Sequence, residues 1–161
     1  MMNRSVLLIG QVFVVLLALG VRVLAPGWWL VIVFMSLGTV ALITLTPLLV
    51  AVSVATAFAP TLRPRSLLAL AAADVSLLVF ALTLPDFTDV ADRYPVPLAT
   101  LTTGDGEVSR AAADTFGTVA GYAALAYAAA AALTVVSAVL DQRRSRPGGT
   151  PPPDRFTVAV A

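Results

Sequence analysis

Asp74 is the only charged residue in the nineteen positions from Ser66 to Leu84, and an isolated carboxylate in an apolar run can do two kinds of chemistry. It can bind and release a proton or hold a cation, as intramembrane acids do in transporters, or it can share a hydrogen bond with a neighbouring helix and fix its register. An ionised carboxylate at the centre of a bilayer costs about 2.5 to 3.5 kcal/mol, so Asp74 is expected to carry a proton at rest or to face a polar partner. At 1.5 Å per helical residue, Asp74 lies roughly 12 Å into its run, and Gln11, Ser53 and Thr134 fall at roughly 9 to 11 Å in theirs. These four residues are expected to share one polar layer. The register reading is the stronger of the two, because a proton relay calls for further buried acids or histidines and the apolar runs hold none.

A second set of carboxylates, Asp86, Asp89 and Asp92, recurs every third residue, with Asp105 and Glu107 further on. Divalent cations take clustered oxygen ligands. The segment lacks the D-x-D-x-D-G spacing of a calcium loop, so a solvated acidic loop is expected instead of a metal site.

Absent residue types exclude more than present ones suggest. The chain has no histidine, cysteine or lysine. It therefore cannot supply imidazole ligands to haem, copper or zinc, thiolates for catalysis or iron-sulfur clusters, disulfides, a P-loop lysine or a Schiff base. Gly104-Asp105-Gly106 is a turn and does not complete a dinucleotide fingerprint. We expect no cofactor, no metal and no enzymatic activity.

Small residues suggest packing. Gly117 and Gly121 form a GxxxG pair, and Ala120, Ala124, Ala128 and Ala132 repeat every four residues beside it. In lipid, helix pairing is driven by close van der Waals approach between small side chains, so this ridge is a candidate contact within the bundle or with another protein. Alanine abundance alone also produces such spacing.

The elements that position these residues are four apolar runs. Hydrophobic residues make up 59% of the 161-residue chain against 12% charged, and mean hydropathy is +0.94, far from the balance of a soluble domain. Helices are predicted at about 5–24, 28–59, 66–84 and 112–140, with an acidic outer loop at 85–111. The predicted fold is all-α, a polytopic membrane protein with one four-helix domain over 1–140. Pro26-Gly27 breaks the chain after the first run, and Trp28 and Trp29 read as interfacial anchors. The second run is longer than a straight span needs, and Pro47, near Thr44 and Thr46, is the expected bend. Period-2 alternation is missing from the runs, which argues against a membrane barrel.

Arginine distribution orients the bundle. With the N-terminus inside, Arg4, Arg63, Arg65, Arg143, Arg144, Arg146 and Arg155 lie inside and Arg22, Arg93 and Arg110 outside, as the positive-inside rule requires. Both termini are then cytoplasmic, and Arg63, Arg65, Arg143 and Arg144 anchor the inner face to anionic lipid. A rival reading makes Met1 to about Gly20 a cleaved signal peptide, with Ala18-Leu19-Gly20 a poor cleavage site. Residues 141–161, rich in arginine and proline, are expected to form a cytoplasmic tail, disordered unless bound. The basic stretch is short and lacks interleaved aromatics, so no nucleic-acid partner is expected.

Arginine without lysine and abundant alanine suggest a bacterium of high GC content and hence its inner membrane. The functional expectation is an interaction or accessory subunit that meets lipids and a membrane-protein partner, or a second copy, through its fourth helix. The alternative is a small proton- or ion-coupled transporter or channel component using Asp74.

Overall fold

The computed structural model describes residues 4–58, 62–88 and 92–145. Six α-helices dominate it: α1 (Arg4–Val21), α2 (Trp28–Met35), α3 (Thr39–Ala57), α4 (Pro64–Thr83), α5 (Pro97–Thr103) and α6 (Arg110–Ser145). Four segments are long and apolar enough to cross a membrane: Arg4–Leu24, Thr39–Ala57, Pro64–Thr83 and Arg110–Ser145. The first includes a 3₁₀ turn, Arg22–Leu24, that ends α1 ahead of Pro26 and Gly27.

The centre of the bundle is the antiparallel pair α4 and α6, with α3 against α6 and α1 against α4. Small side chains permit this. Ala69, Ala73 and Ala81 on α4, Ala51 and Ala55 on α3, and Ala120, Ala131 and Ala138 on α6 are buried, and their missing bulk lets the helix backbones come close. Leu48, Leu70, Leu77 and Tyr127 fill the remaining core. Elsewhere large apolar side chains point outward, among them Phe13, Ile43, Leu68 and Leu125, each more than 60% exposed. That inversion of a soluble protein's pattern suits lipid surroundings.

The second apolar run is two helices where the sequence predicts one. It breaks at Ser36-Leu37-Gly38, well before Pro47, and Pro47 lies inside α3. The Gly38 N–H donates to Val33 O at 2.8 Å and the Leu37 N–H to Phe34 O at 3.1 Å, the two bonds of a Schellman cap. Leu37 and Gly38 both have positive φ, 51° and 78°. Glycine adopts this conformation freely, and Leu37, 94% exposed, has no neighbour for its side chain to strike. Hydropathy reports none of this, since the run is apolar on both sides of the break.

Between α4 and α6 the chain is more ordered than the solvated loop the sequence suggests. A short antiparallel ladder pairs β1 (Tyr94–Pro95) with β2 (Glu107–Val108), and α5 lies between them. Thr100 of α5 donates to Leu24 O at 3.3 Å, which seats this subdomain on the end of α1. The fourth helix also overruns its predicted end. It continues through Asp141 to Ser145, because Asp141 is buried against the start of α4. The expectation of a disordered tail at 146–161 lies outside the described residues.

Candidate functional site

Three carboxylates mark α4 at its start, middle and end. With twenty residues the helix is about 30 Å long, so the three lie at well-separated depths.

At the start, Asp141 of α6 reaches across to α4. Its Oδ2 accepts the Arg63 N–H at 3.0 Å and the Ser66 hydroxyl at 2.7 Å, and its Oδ1 takes a close contact from the Arg65 guanidinium. The first turn of a helix has unpaired N–H groups, and α4 opens at Pro64 with no cap from its own side chains. A carboxylate from another helix takes the place of that cap. Arg63 and Arg65, expected as lipid anchors, thus also act as partners of Asp141. Arg143 and Arg144 are exposed.

At the other end, Asp86 is 1% exposed, which corrects its assignment to a solvated acidic loop. Its Oδ1 accepts the N–H groups of Trp29 at 3.0 Å and Phe87 at 2.8 Å, and its Oδ2 pairs with Arg22 at 3.1 Å. Arg22 also donates to Leu84 O at 2.6 Å and Ala81 O at 3.4 Å, closing the final carbonyls of α4. Gly27 is required here, since a Cβ on it would lie 2.7 Å from Asp86 Oδ1. Trp28 stacks on Phe87 and Trp29 meets the same ring edge-on. The predicted anchors are therefore part of a packed aromatic cluster. Of the other acids, Asp92 and Asp105 are exposed, Glu107 pairs with Arg93 at 3.2 Å, and Asp89 lies outside the described residues.

In the middle, Gln11 Nε2 donates to Asp74 Oδ2 at 2.7 Å, while Gln11 Oε1 and Asp74 Oδ1 are buried without a partner. The other two members of the predicted layer do not join them. Ser53 is exposed and returns its hydroxyl to Leu49 O at 2.7 Å; Thr134 is fully buried but donates to Ala130 O at 2.9 Å. Counting residues along a helix fixes depth, yet the face a residue occupies turns by about 100° at each step. Ser53 has the depth and the wrong face.

Near this depth lies a residue that the sequence reading passes over. The Tyr127 hydroxyl accepts the Leu48 N–H at 3.1 Å and donates to Thr44 O at 3.1 Å, so it is inserted into the backbone ladder of α3 beside Pro47. The hydroxyls of Thr44 and Thr46, near the proline in sequence, donate to Val40 O and Leu42 O. The only sequence signal was a tyrosine in an alanine-rich run.

The small-residue ridge divides between two faces. Steps of four residues overshoot the 3.6-residue turn, so Ala120 and Ala132 are displaced by about 120° around α6. Ala120 is buried, Gly117 and Ala124 are half-buried, and Gly121, Ala128 and Ala132 are exposed. A cavity of 410 Å³ opens between α1, α2, α3 and α4, walled by apolar residues such as Ala18, Trp29, Ala41 and Phe80 and by Arg22. Neither Asp74 nor Gln11 lines it.

Together these features define a helical bundle with four candidate membrane spans, tied by buried acids. Among the described residues no group of three potential metal ligands occurs. No protein-family description matches the chain, and neither a curated protein nor a solved structure shows significant similarity to it.

Proposed function

We propose that this chain is an integral protein of a bacterial inner membrane, with both termini cytoplasmic, that serves as a non-enzymatic interaction or accessory subunit. The observation that carries this reading is the outward seam of α6, where Gly121, Leu125, Ala128 and Ala132 follow one another at steps of four, three and four residues and all are exposed. A side chain added at Gly121 would meet nothing within 4 Å, so the glycine answers no need of this chain's own packing. Small, Leu, small, small at helical spacing is the pattern of a seam that admits another helix. The transport alternative has less support, since the bundle's apolar cavity bypasses Asp74 and, among the described residues, no second acid sits beside it.

The test is replacement of Gly121 and Ala128 by leucine, followed by purification from native membranes. The expected result is loss of a stoichiometric companion, or of self-association, with helicity and melting temperature unchanged. Full retention of every associated chain by both variants, or a wild-type protein that purifies alone as a monomer, would overturn the reading.

A further inference from the structure

The pair at the middle of α4 is short of one hydrogen. Gln11 Nε2 already donates to Asp74 Oδ2. The two atoms left over, Gln11 Oε1 and Asp74 Oδ1, are both acceptors while the carboxyl is ionised, so neither can satisfy the other. Exchanging the amide's oxygen and nitrogen moves the donor without supplying a second one aimed at the acid. Gln11 is 9% exposed, too enclosed for bulk water to make up the loss, and stranded buried acceptors are costly.

Among the described residues, no neighbouring charge compensates an ionised Asp74. Of the helices packed on α4, α3 and α5 contain no titratable residue. On α1 the sole such residue is Arg4 at its first position, and Arg22, just past its end, is taken by Asp86. From α6 comes Tyr127, whose hydroxyl is engaged with α3. A divalent cation would need about six oxygen ligands, and this pair holds three side-chain oxygens.

We propose that Asp74 and Gln11 form a proton-holding site, in which the neutral Asp74 carboxyl donates from Oδ1 to Gln11 Oε1 while Gln11 Nε2 donates to Oδ2. The result is a planar ring of two hydrogen bonds joining α1 to α4, with every polar atom of the acid used. The ligand of the site is a single proton, and the amide is what selects the neutral acid. Asparagine is the matching isostere: its carboxamide can donate to Gln11 Oε1 and accept from Nε2, so the ring survives without any proton to lose.

The test is infrared spectroscopy of the full chain in lipid bilayers at neutral pH, with aspartate carboxyls labelled with ¹³C. The other described aspartates are either ion-paired, as Asp86 and Asp141 are, or exposed, as Asp92, Asp105 and Asp114 are. The expected spectrum has one labelled neutral-carboxyl C=O band, which Asp74→Asn abolishes while the melting temperature stays unchanged. A wild-type spectrum with ionised carboxylates alone, or a neutral band that survives Asp74→Asn, would overturn the proposal. Should Asp74→Asn fail to fold, it contradicts the isosteric ring, and the wild-type spectrum still decides the proton's presence by itself.

Discussion

Arg22 and Asp86 lie 3.1 Å apart, with the acid's side chain fully enclosed and that of the arginine 12% exposed. Sixty-four residues separate them in sequence. Between them they close the end of α4 and the start of α2, since the arginine takes the carbonyls of Ala81 and Leu84 while the acid takes the Trp29 N–H. Breaking a buried pair from one side leaves an uncompensated charge, which costs about 3 to 5 kcal/mol. Asp86→Ala is expected to destabilise the bundle by this amount in a denaturation titration in micelles. Arg22→Met combined with Asp86→Asn should lose less, because the charge is gone and an acceptor for the two N–H groups is kept. An Asp86→Ala protein as stable as the wild type would show that the pair has no energetic role.

At the opposite end of α4 the balance between acid and arginine differs. Asp141 supplies a cap to Arg63 N–H and Ser66, and loss of a capping side chain costs about 0.5 to 2 kcal/mol. The Arg65 side chain is 43% exposed, and an ion pair so open to water is worth about 0 to 1 kcal/mol. Asp141→Ala should therefore lower the melting temperature more than Arg65→Ala, and hydrogen exchange should quicken at residues 63 and 65–67, whose first amide Asp141 holds. Equal effects of the two substitutions would mean that charge, and not capping, dominates.

Tyr127→Phe removes two hydrogen bonds and leaves Thr44 O and the Leu48 N–H to find each other. A net cost of about 1 kcal/mol is expected for a typical bond lost. Pro47→Ala removes the ring that props α3 open, so the backbone can close its own ladder. The double variant should then lose less than the two single variants summed, by about 0.5 kcal/mol or more, the coupling expected of residues in contact. Strict additivity would show that the hydroxyl and the proline act independently.

These three sites show what a sequence of this kind displays and what it conceals. The apolar runs are legible because hydropathy is a property of consecutive residues, and α1, α3, α4 and α6 each coincide with most of one run. Gln11 stands out beside Asp74 because residue counting measures depth; Ser53 shows that depth is only one of two helical coordinates. Asp86 looked like any loop acid, and Asp141 like the first residue of a basic tail. Apart from the adjacent Phe87 N–H, their partners stand 57 to 78 positions away, and no periodicity connects a carboxylate with an N–H group in another helix. The break at Leu37-Gly38 was hidden for a different reason, since its two cap bonds involve backbone atoms alone.

Because α4 is held at one end by Asp141 and at the other by Arg22, a piston-like slide along its own axis would rupture both fastenings together. Tilting α1 about the Gln11 contact, or swinging α2 on the Leu37-Gly38 corner, breaks neither the Asp141 fastening nor the α4 ladder. Displacing the end of α1 or the start of α2 instead gives up the Arg22–Asp86 pair or the Trp29 N–H bond to Asp86, so α4 is the post to which its neighbours are tethered.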